Sequence, residues 1–243
     1  MSLETEAKFV ISDLLSFNQV KSLRSLAGFS LAPVKELSVR DDYLDTPGRS
    51  LLAAGWALRF RRKEGLILVT AKSTTGASGG LHEREELEIQ LPSAVPAQDW
   101  PESALRSLVL SAQGRDPLGV LFEVHQERLI REVTRGGRRV AEMSLDMVKV
   151  LAGGKEKEYL ELEVELGPDG SREELLSLAS VLQKDLTLDP SPRSKFEEGL
   201  LLLDGKASTS RPVLSRRRKT PPPTGPRKTL VLAAPEGATA EAV

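Results

Sequence analysis

Apolar and polar positions alternate with a period of two over eight stretches of the chain, near residues 2–11, 35–44, 56–63, 66–73, 82–91, 120–133, 139–150 and 157–166. On an extended chain, side chains two apart share a face, so this alternation predicts strands with one apolar and one polar side. Gly- or Pro-containing breaks separate most of them, among them Thr46-Pro47-Gly48, Gly76 to Gly80, Gly136-Gly137 and Gly153-Gly154. Three stretches switch to helical spacing. Residues 13–27 align Leu15, Val20, Leu23 and Leu26 between a capping Asp13 and a stop at Gly28. Residues 102–112 repeat Leu105, Leu108 and Val109 before Gly114. Residues 171–186 open on a capping box, Ser171 with Glu174, and place Leu175, Leu178, Ala179, Leu182 and Leu186 on one face. A short apolar helix is expected after Lys195, through Leu200 and Leu203. Eight strands and few helices predict an antiparallel α+β body, an arrangement that a closed barrel satisfies.

The polar faces have an unusual chemistry. Glu4, Glu6 and Lys8 share a face, as do Arg59 with Arg61, Thr70 with Lys72, and Arg84 with Glu86 and Glu88. Ser144 pairs with Asp146, and Glu161, Glu163 and Glu165 form a row. Taken singly, each is an ordinary half-buried strand with its charges in water. A solvated face, however, mixes signs and uses many Ser, Thr and Gln, whereas three glutamates in register repel one another unless cations lie opposite. Curled inward, these faces make a channel with acidic and basic patches. Such a channel suits polyphosphate, because arginine forks and lysine point charges bind phosphoryl oxygens. Clustered carboxylates hold Mg²⁺ or Mn²⁺, and phosphoryl transfer needs chiefly positioning and charge neutralisation.

Composition narrows the chemistry further. With 243 residues, 40 % apolar and 28 % charged, the chain can bury a sizeable core. It has no cysteine, which excludes disulfides and thiolate chemistry, and its two histidines, His82 and His125, do not make an imidazole-rich metal site. No apolar run approaches the ~20 residues of a membrane span, and MSLETEAKFV lacks the features of a secretory signal. A cytoplasmic protein without membrane partners is expected, using hard, oxygen-loving cations if it uses metal. The net charge of −1 conceals an uneven distribution: residues 205–243 carry +6 and the rest −7. Six of the fifteen prolines also fall in that last segment. The expected organisation is a body over 1–205 and a basic, Pro-rich tail or linker over 206–243. The run Arg216, Arg217, Arg218 and Lys219 is read as part of a solvated linker, and nucleic acid is not expected as a partner.

The ordered motifs carry a resemblance. Glu4-x-Glu6-x-Lys8 opens a series continued by Tyr43-x-Asp45-Thr46, Leu58-Arg59-Phe60-Arg61, Thr70-Ala71-Lys72, Arg84-x-Glu86-x-Glu88, Arg128, Asp146, Glu161-x-Glu163-x-Glu165 and Ser194-Lys195. Across nearly all of 1–204 it resembles the CYTH domain of the triphosphate tunnel metalloenzymes. That resemblance implies a closed eight-stranded antiparallel tunnel, helices packed outside, that hydrolyses a triphosphate with Mg²⁺ or Mn²⁺. It implies that Glu4, Glu6 and Glu165 are the principal metal carboxylates. Glu86 and Glu88 would serve a second metal site or align cationic side chains, and Glu161, Glu163 and Asp146 would support the metals or orient the attacking water. Lys8, Arg59, Arg61, Lys72, Arg84, Arg128 and Lys195 would hold phosphates, with Lys8, Glu163 and Asp146 taken as catalytic. One departure stands out: Gln126 occupies a position that is basic in many members.

Other candidates read as structural. Tyr43, Asp45 and Thr46 fit a strand end and turn before Pro47. Trp56 and His125 have the wrong parity to join Arg59 and Arg128, His82 lies where a strand begins, and Gly79-Gly80 marks a hairpin and not a phosphate cradle. Inorganic triphosphate is the expected substrate, since aromatics are only 4 % of the chain and none is evident for stacking a base. The alternatives are a nucleoside or thiamine triphosphatase or class IV-like adenylate cyclase, and a non-catalytic polyphosphate-binding module. Arg193 to Gly199 also resembles bacterial CYTH proteins that precede a CHAD-type helical domain, which is the implied partner.

Overall fold

The structure, a computed structural model, describes residues 2–63, 65–78 and 80–206. Its strands are β1 (Ser2–Ile11), β2 (Ser25–Leu26), β3 (Phe29–Leu31), β4 (Lys35–Asp45), β5 (Trp56–Lys63), β6 (Leu66–Ser73), β7 (Ala77–Ser78), β8 (Leu81–Leu91), β9 (Gly119–Arg135), β10 (Arg138–Ala152), β11 (Lys155–Leu166) and β12 (Asp189–Pro190). The helices are α1 (Leu14–Ser22), α2 (Ser50–Ala53), α3 (Ala104–Gln113), α4 (Arg172–Asp185) and α5 (Lys195–Leu203). The eight long strands run antiparallel in the order β10-β11-β1-β8-β6-β5-β4-β9, and β9 pairs back with β10 to close the barrel. All eight are those the alternation predicts. The longest strands are joined by two-residue turns, Gly136-Gly137 and Gly153-Gly154, in which all four glycines have positive φ. That geometry matches the twist of a hairpin and is open to glycine without strain.

Most of the hydrophobic core lies outside the barrel wall. Phe9, Met143, Leu160 and Leu162 turn outward beneath Phe17 and Val20 of α1 and Leu175, Leu178 and Leu182 of α4. On the opposite flank Leu58, Val69 and Leu91 meet Trp100, Leu105 and Val109. The capping box at Ser171 and Glu174 forms as predicted, and a second one, Ser194 with Glu197, starts α5. One end inside the barrel is apolar: Tyr43, Phe122, Val124, Val148 and Val150 pack beneath Phe196 and Leu202 of α5. Most of the rest of the inner face is taken by the charged rows, with Leu68, Thr70 and Gln126 among them.

Two elements depart from the sequence reading. The helix predicted over 13–27 stops at Ser22, and residues 25–31 form a small hairpin whose second strand adds to β9. Leu26 and Phe29 are buried in the same cluster as Phe9, so burial against the barrel outweighs helical spacing there. Helix α2 has too short an apolar stripe to predict. It exists because the Asp45 carboxylate accepts from the backbone N–H groups of Leu51 and Leu52, at 2.9 and 3.0 Å. The boundary expected near 205 lies just past the end of α5, while the basic run 216–219 lies outside the described residues. No described helix is long and apolar enough to cross a membrane.

Candidate active site: the charged bore

Register sets many of these charges opposite a complement. Across adjacent strands Lys8 faces Glu163, Glu4 faces Arg84, Lys72 faces Glu86, Asp41 faces Arg61 and Asp146 faces Arg128. Directly opposed charges of unlike sign stabilise a strand pair and offset part of the repulsion within a row, but Glu6 faces Glu165 and Asp146 also faces Glu161. All of these except the buried Asp41, Asp146 and Glu161 line one cavity of about 270 Å³. All seven predicted phosphate-holding cations reach it: Lys8, Arg59, Arg61, Lys72, Arg84, Arg128 and Lys195. So do Glu4, Glu6, Glu86, Glu88, Glu163 and Glu165. Glu161 and Asp146 are buried in the wall behind them and do not line the cavity.

The bore divides into three clusters. In the first, Asp146, Glu161 and Glu163 present ligand oxygens within 4.8 Å of one another, a group that could hold a metal ion. Protein cations already occupy it. Lys195 Nζ lies 2.5 Å from Glu161, 2.7 Å from Glu163 and 3.1 Å from Asp146. Lys8 Nζ is 2.6 Å from Glu163, and Arg128 donates Nε and Nη2 to the two Asp146 oxygens at 2.8 and 2.6 Å. Burial alone would raise the Glu163 pKa, but Lys195, Lys8 and Arg128 hold it well below the carboxylate range. Burial pushes Glu161 up, against the pull of Lys195. Burial would lower Lys195, yet the surrounding carboxylates keep its ammonium charged.

The second cluster contains Glu4, Glu6 and Glu165. Lys72 bonds Glu4 and Arg84 bonds Glu6, while Glu4 Oε2 is buried with no hydrogen-bond partner, Arg84 Nη2 standing 3.6 Å away. Glu165 has no ion-pair partner among the described residues, and burial together with Glu4 pushes its carboxyl up to about 7. An orphaned oxygen beside an uncompensated carboxylate is an environment that a hard divalent cation neutralises, so these residues fit Mg²⁺ or Mn²⁺. Glu86 is 3.6 Å from Lys72, and Glu88 accepts weakly from Thr70 at 3.5 Å.

The third cluster was only partly legible in the sequence. Asp41 is completely buried and accepts from Arg61 Nε and Nη2, both at 2.7 Å, and from Gln126 Nε2 at 2.9 Å. Arg59 Nη1 stands 3.7 Å from the same carboxylate. Sequence reasoning missed Asp41, because only the β4–β5 register reveals that it faces Arg61. Other readings can be placed directly. Trp56 packs with the outer core and half-exposed His125 bonds Glu123, whereas Tyr43 does line the bore. His82 is buried, with Nε2 3.1 Å from the Ser191 carbonyl. Burial and the nearby Lys8 lower its pKa, so the ring is neutral and donates to that carbonyl.

Comparison with known proteins agrees with this architecture. The chain is 25 % identical over 213 residues to the inorganic triphosphatase of Haemophilus influenzae, covering 83 % of this chain and 55 % of that one, so it spans about half the length of this curated relative. A Hippeastrum adenylyl cyclase candidate with a dominant triphosphatase activity superimposes with a TM-score of 0.61 at 19 % identity, over 85 % of this chain and 98 % of that one. A candidate adenylate cyclase from Bacillus halodurans gives 0.51 at 20 % identity, over 80 % and 96 %. The CYTH domain profile matches residues 2–198, so that most of the chain is accounted for, and the protein belongs to the CYTH domain family.

Proposed function

We propose that the bore hydrolyses inorganic triphosphate to pyrophosphate and phosphate with a bound Mg²⁺ or Mn²⁺. The observation that carries this reading is the convergence of seven cations, from five strands and α5, on a single cavity of about 270 Å³ shared with six carboxylates. A pure anion receptor gains nothing from carboxylates that repel its ligand. A metal-assisted phosphoryl-transfer site needs both signs. The divalent cation, held by Glu4, Glu6 and Glu165, supplies charge neutralisation at the phosphoryl oxygens. Arg59, Arg61, Arg84 and Arg128 offer forked donors that orient a linear polyanion, and Lys8, Lys72 and Lys195 add point charges. Glu163 and Asp146 fix the positions of Lys8, Lys195 and Arg128, Glu161 holds Lys195 from behind, and Glu163, the one of the three that lines the cavity, orients the attacking water.

The cavity lies just below the ~300–1,000 Å³ of typical organic-ligand pockets. Its aromatic lining residues, Tyr43 and Phe196, are packed on each other with ring centroids 5.5 Å apart. Both facts favour an inorganic substrate over a nucleotide, as does the activity named for the Haemophilus influenzae relative. The test follows phosphate release from tripolyphosphate, ATP and thiamine triphosphate, with Mg²⁺, with Mn²⁺ and with chelator. Metal-dependent turnover confined to tripolyphosphate is the expected result. Preferred turnover of either organic triphosphate, or tight binding with no turnover in either metal, would remove this assignment. Glu165→Gln is expected to reduce turnover more than a hundredfold while leaving the metal-free melting temperature unchanged or higher, because the replaced carboxylate has no cation partner. Near-normal turnover would take Glu165 out of the metal site.

A further inference from the structure

Arg61 and Arg128 project from β5 and β9, and β4 runs between those two strands. They are nevertheless joined by a continuous chain of hydrogen bonds. Arg61 grips Asp41 with Nε and Nη2, Asp41 accepts from Gln126 Nε2 at 2.9 Å, and Gln126 Oε1 accepts from Arg128 Nη2 at 3.2 Å. Arg128 then grips Asp146. The intermediates are shielded from water: Asp41 is 0 % and Gln126 1 % exposed. In both arginines the Nε–Nη2 edge is spent on a buried carboxylate, and Nη1 has no protein partner among the described residues. A guanidinium held along one edge presents its Nη1 in a fixed direction; in Arg128 the Nη2 group also donates to Glu163 Oε2 at 2.7 Å, and both arginines line the cavity.

Gln126 is suited to this connection. A carboxamide donates from one end and accepts at the other, so it satisfies Asp41 and Arg128 together without adding charge. A lysine or arginine there could donate to Asp41 but could not accept from Arg128, and would leave a second cation against that guanidinium. A carboxylate would repel Asp41.

We propose that Asp41 and Gln126 form a relay that fixes Arg61 and Arg128 as one phosphate-binding unit, with Gln126 as the positioning residue that couples them. This rests on the triphosphate reading of the bore, because the coupling is expressed in how the two free Nη1 groups meet phosphoryl oxygens. It goes beyond that reading in making affinity at one arginine depend on the other through a neutral amide. Groups within one hydrogen-bond network couple, whereas separated ones act additively.

The test is a double-mutant cycle between Arg61→Lys and Arg128→Lys, each of which keeps the charge and loses the fork. It is run in the parent protein and in Gln126→Met, which keeps volume and removes both bonds of the relay. Tripolyphosphate binding is measured by calorimetry in chelator, and denaturant stability is measured on the same eight proteins without ligand. The relay predicts about three- to thirtyfold non-additivity in the parent, falling to additivity in the Gln126→Met series. It also predicts that Gln126→Met raises KM for tripolyphosphate more than it lowers kcat, with the fold retained by melting temperature. Additive effects in the parent, or coupling that survives Gln126→Met, would overturn the relay. Should the parent neither bind tripolyphosphate nor turn it over with Mg²⁺ or Mn²⁺, the proposed function falls, and the ligand-free stability cycle alone decides whether the relay exists.

Discussion

A buried aspartate surrounded by three hydrogen-bond donors from two side chains, as Asp41 is, stays ionised only while those donors outweigh its lost hydration. Burial raises its pKa, but Arg59 and Arg61 more than reverse this, and it lies below its usual 3.8. The stability this contributes is complete above about pH 4 and is lost as pH falls through the lower folded-state value. Asp41→Asn is therefore expected to cost about 2–3 kcal/mol at neutral pH by weakening charged hydrogen bonds. The substitution should also flatten the acid limb of the stability profile. Denaturant melts of both proteins from about pH 2 upward check this, and parallel profiles would mean that Asp41 does not titrate with folding. At this scale the sequence was informative about type and face. The parity argument put Lys8, Arg59, Arg61, Lys72 and Arg84 on polar faces opposite apolar ones, because side-chain direction along a strand is a local property, and the family resemblance added Arg128. It was silent on Asp41 and on what Gln126 touches, because partners are supplied by other strands.

At the scale of elements, α5 connects the core to the site. Its first residue, Lys195, enters the acidic cluster, while Phe196 and Leu202 close the apolar end of the barrel. Lys157 and Arg193 both pair with Glu198, at 2.7 and 2.6 Å, and Arg49 pairs with Asp204 near the helix end. The helix lies so close to β9 that a β-carbon at Gly199 would overlap the Phe122 ring, which is itself stacked on Tyr43 at 4.9 Å. Gly199→Ala is expected to destabilise by about 1–3 kcal/mol through overpacking. It should also lower tripolyphosphate turnover at least tenfold by lifting Lys195 from its carboxylates. A melting-temperature shift without loss of activity would separate the helix seat from the chemistry. The capping boxes and the eight strands were legible because caps and alternation are short-range. The β2–β3 hairpin was not, since Leu26 and Phe29 form it by packing on a surface that β1, β10 and β11 create.

For the molecule as a whole, the polar bore and outward-facing core make stability a matter of helices packed on the barrel and of ion pairs inside it. Truncation after residue 206 is expected to leave both melting temperature and tripolyphosphate turnover unchanged, because α5 ends at Leu203 and the Lys206 N–H already closes onto the Leu201 carbonyl. Loss of folding on truncation would move the proposed domain boundary beyond 206. Sequence by itself determined the eight long strands and which of their faces carry charge. These follow from the period of a strand and from the valence of side chains. Only the tertiary structure decided which charge meets which. Lys8 and Glu163 stand 155 positions apart and touch only because β1 and β11 pair in one register. Closure of the sheet turned separate rows into a bore, and it also filled the tightest acidic cluster with the protein's own cations. Pairing and enclosure are cooperative properties of strands distant in the chain, and no local pattern encodes them.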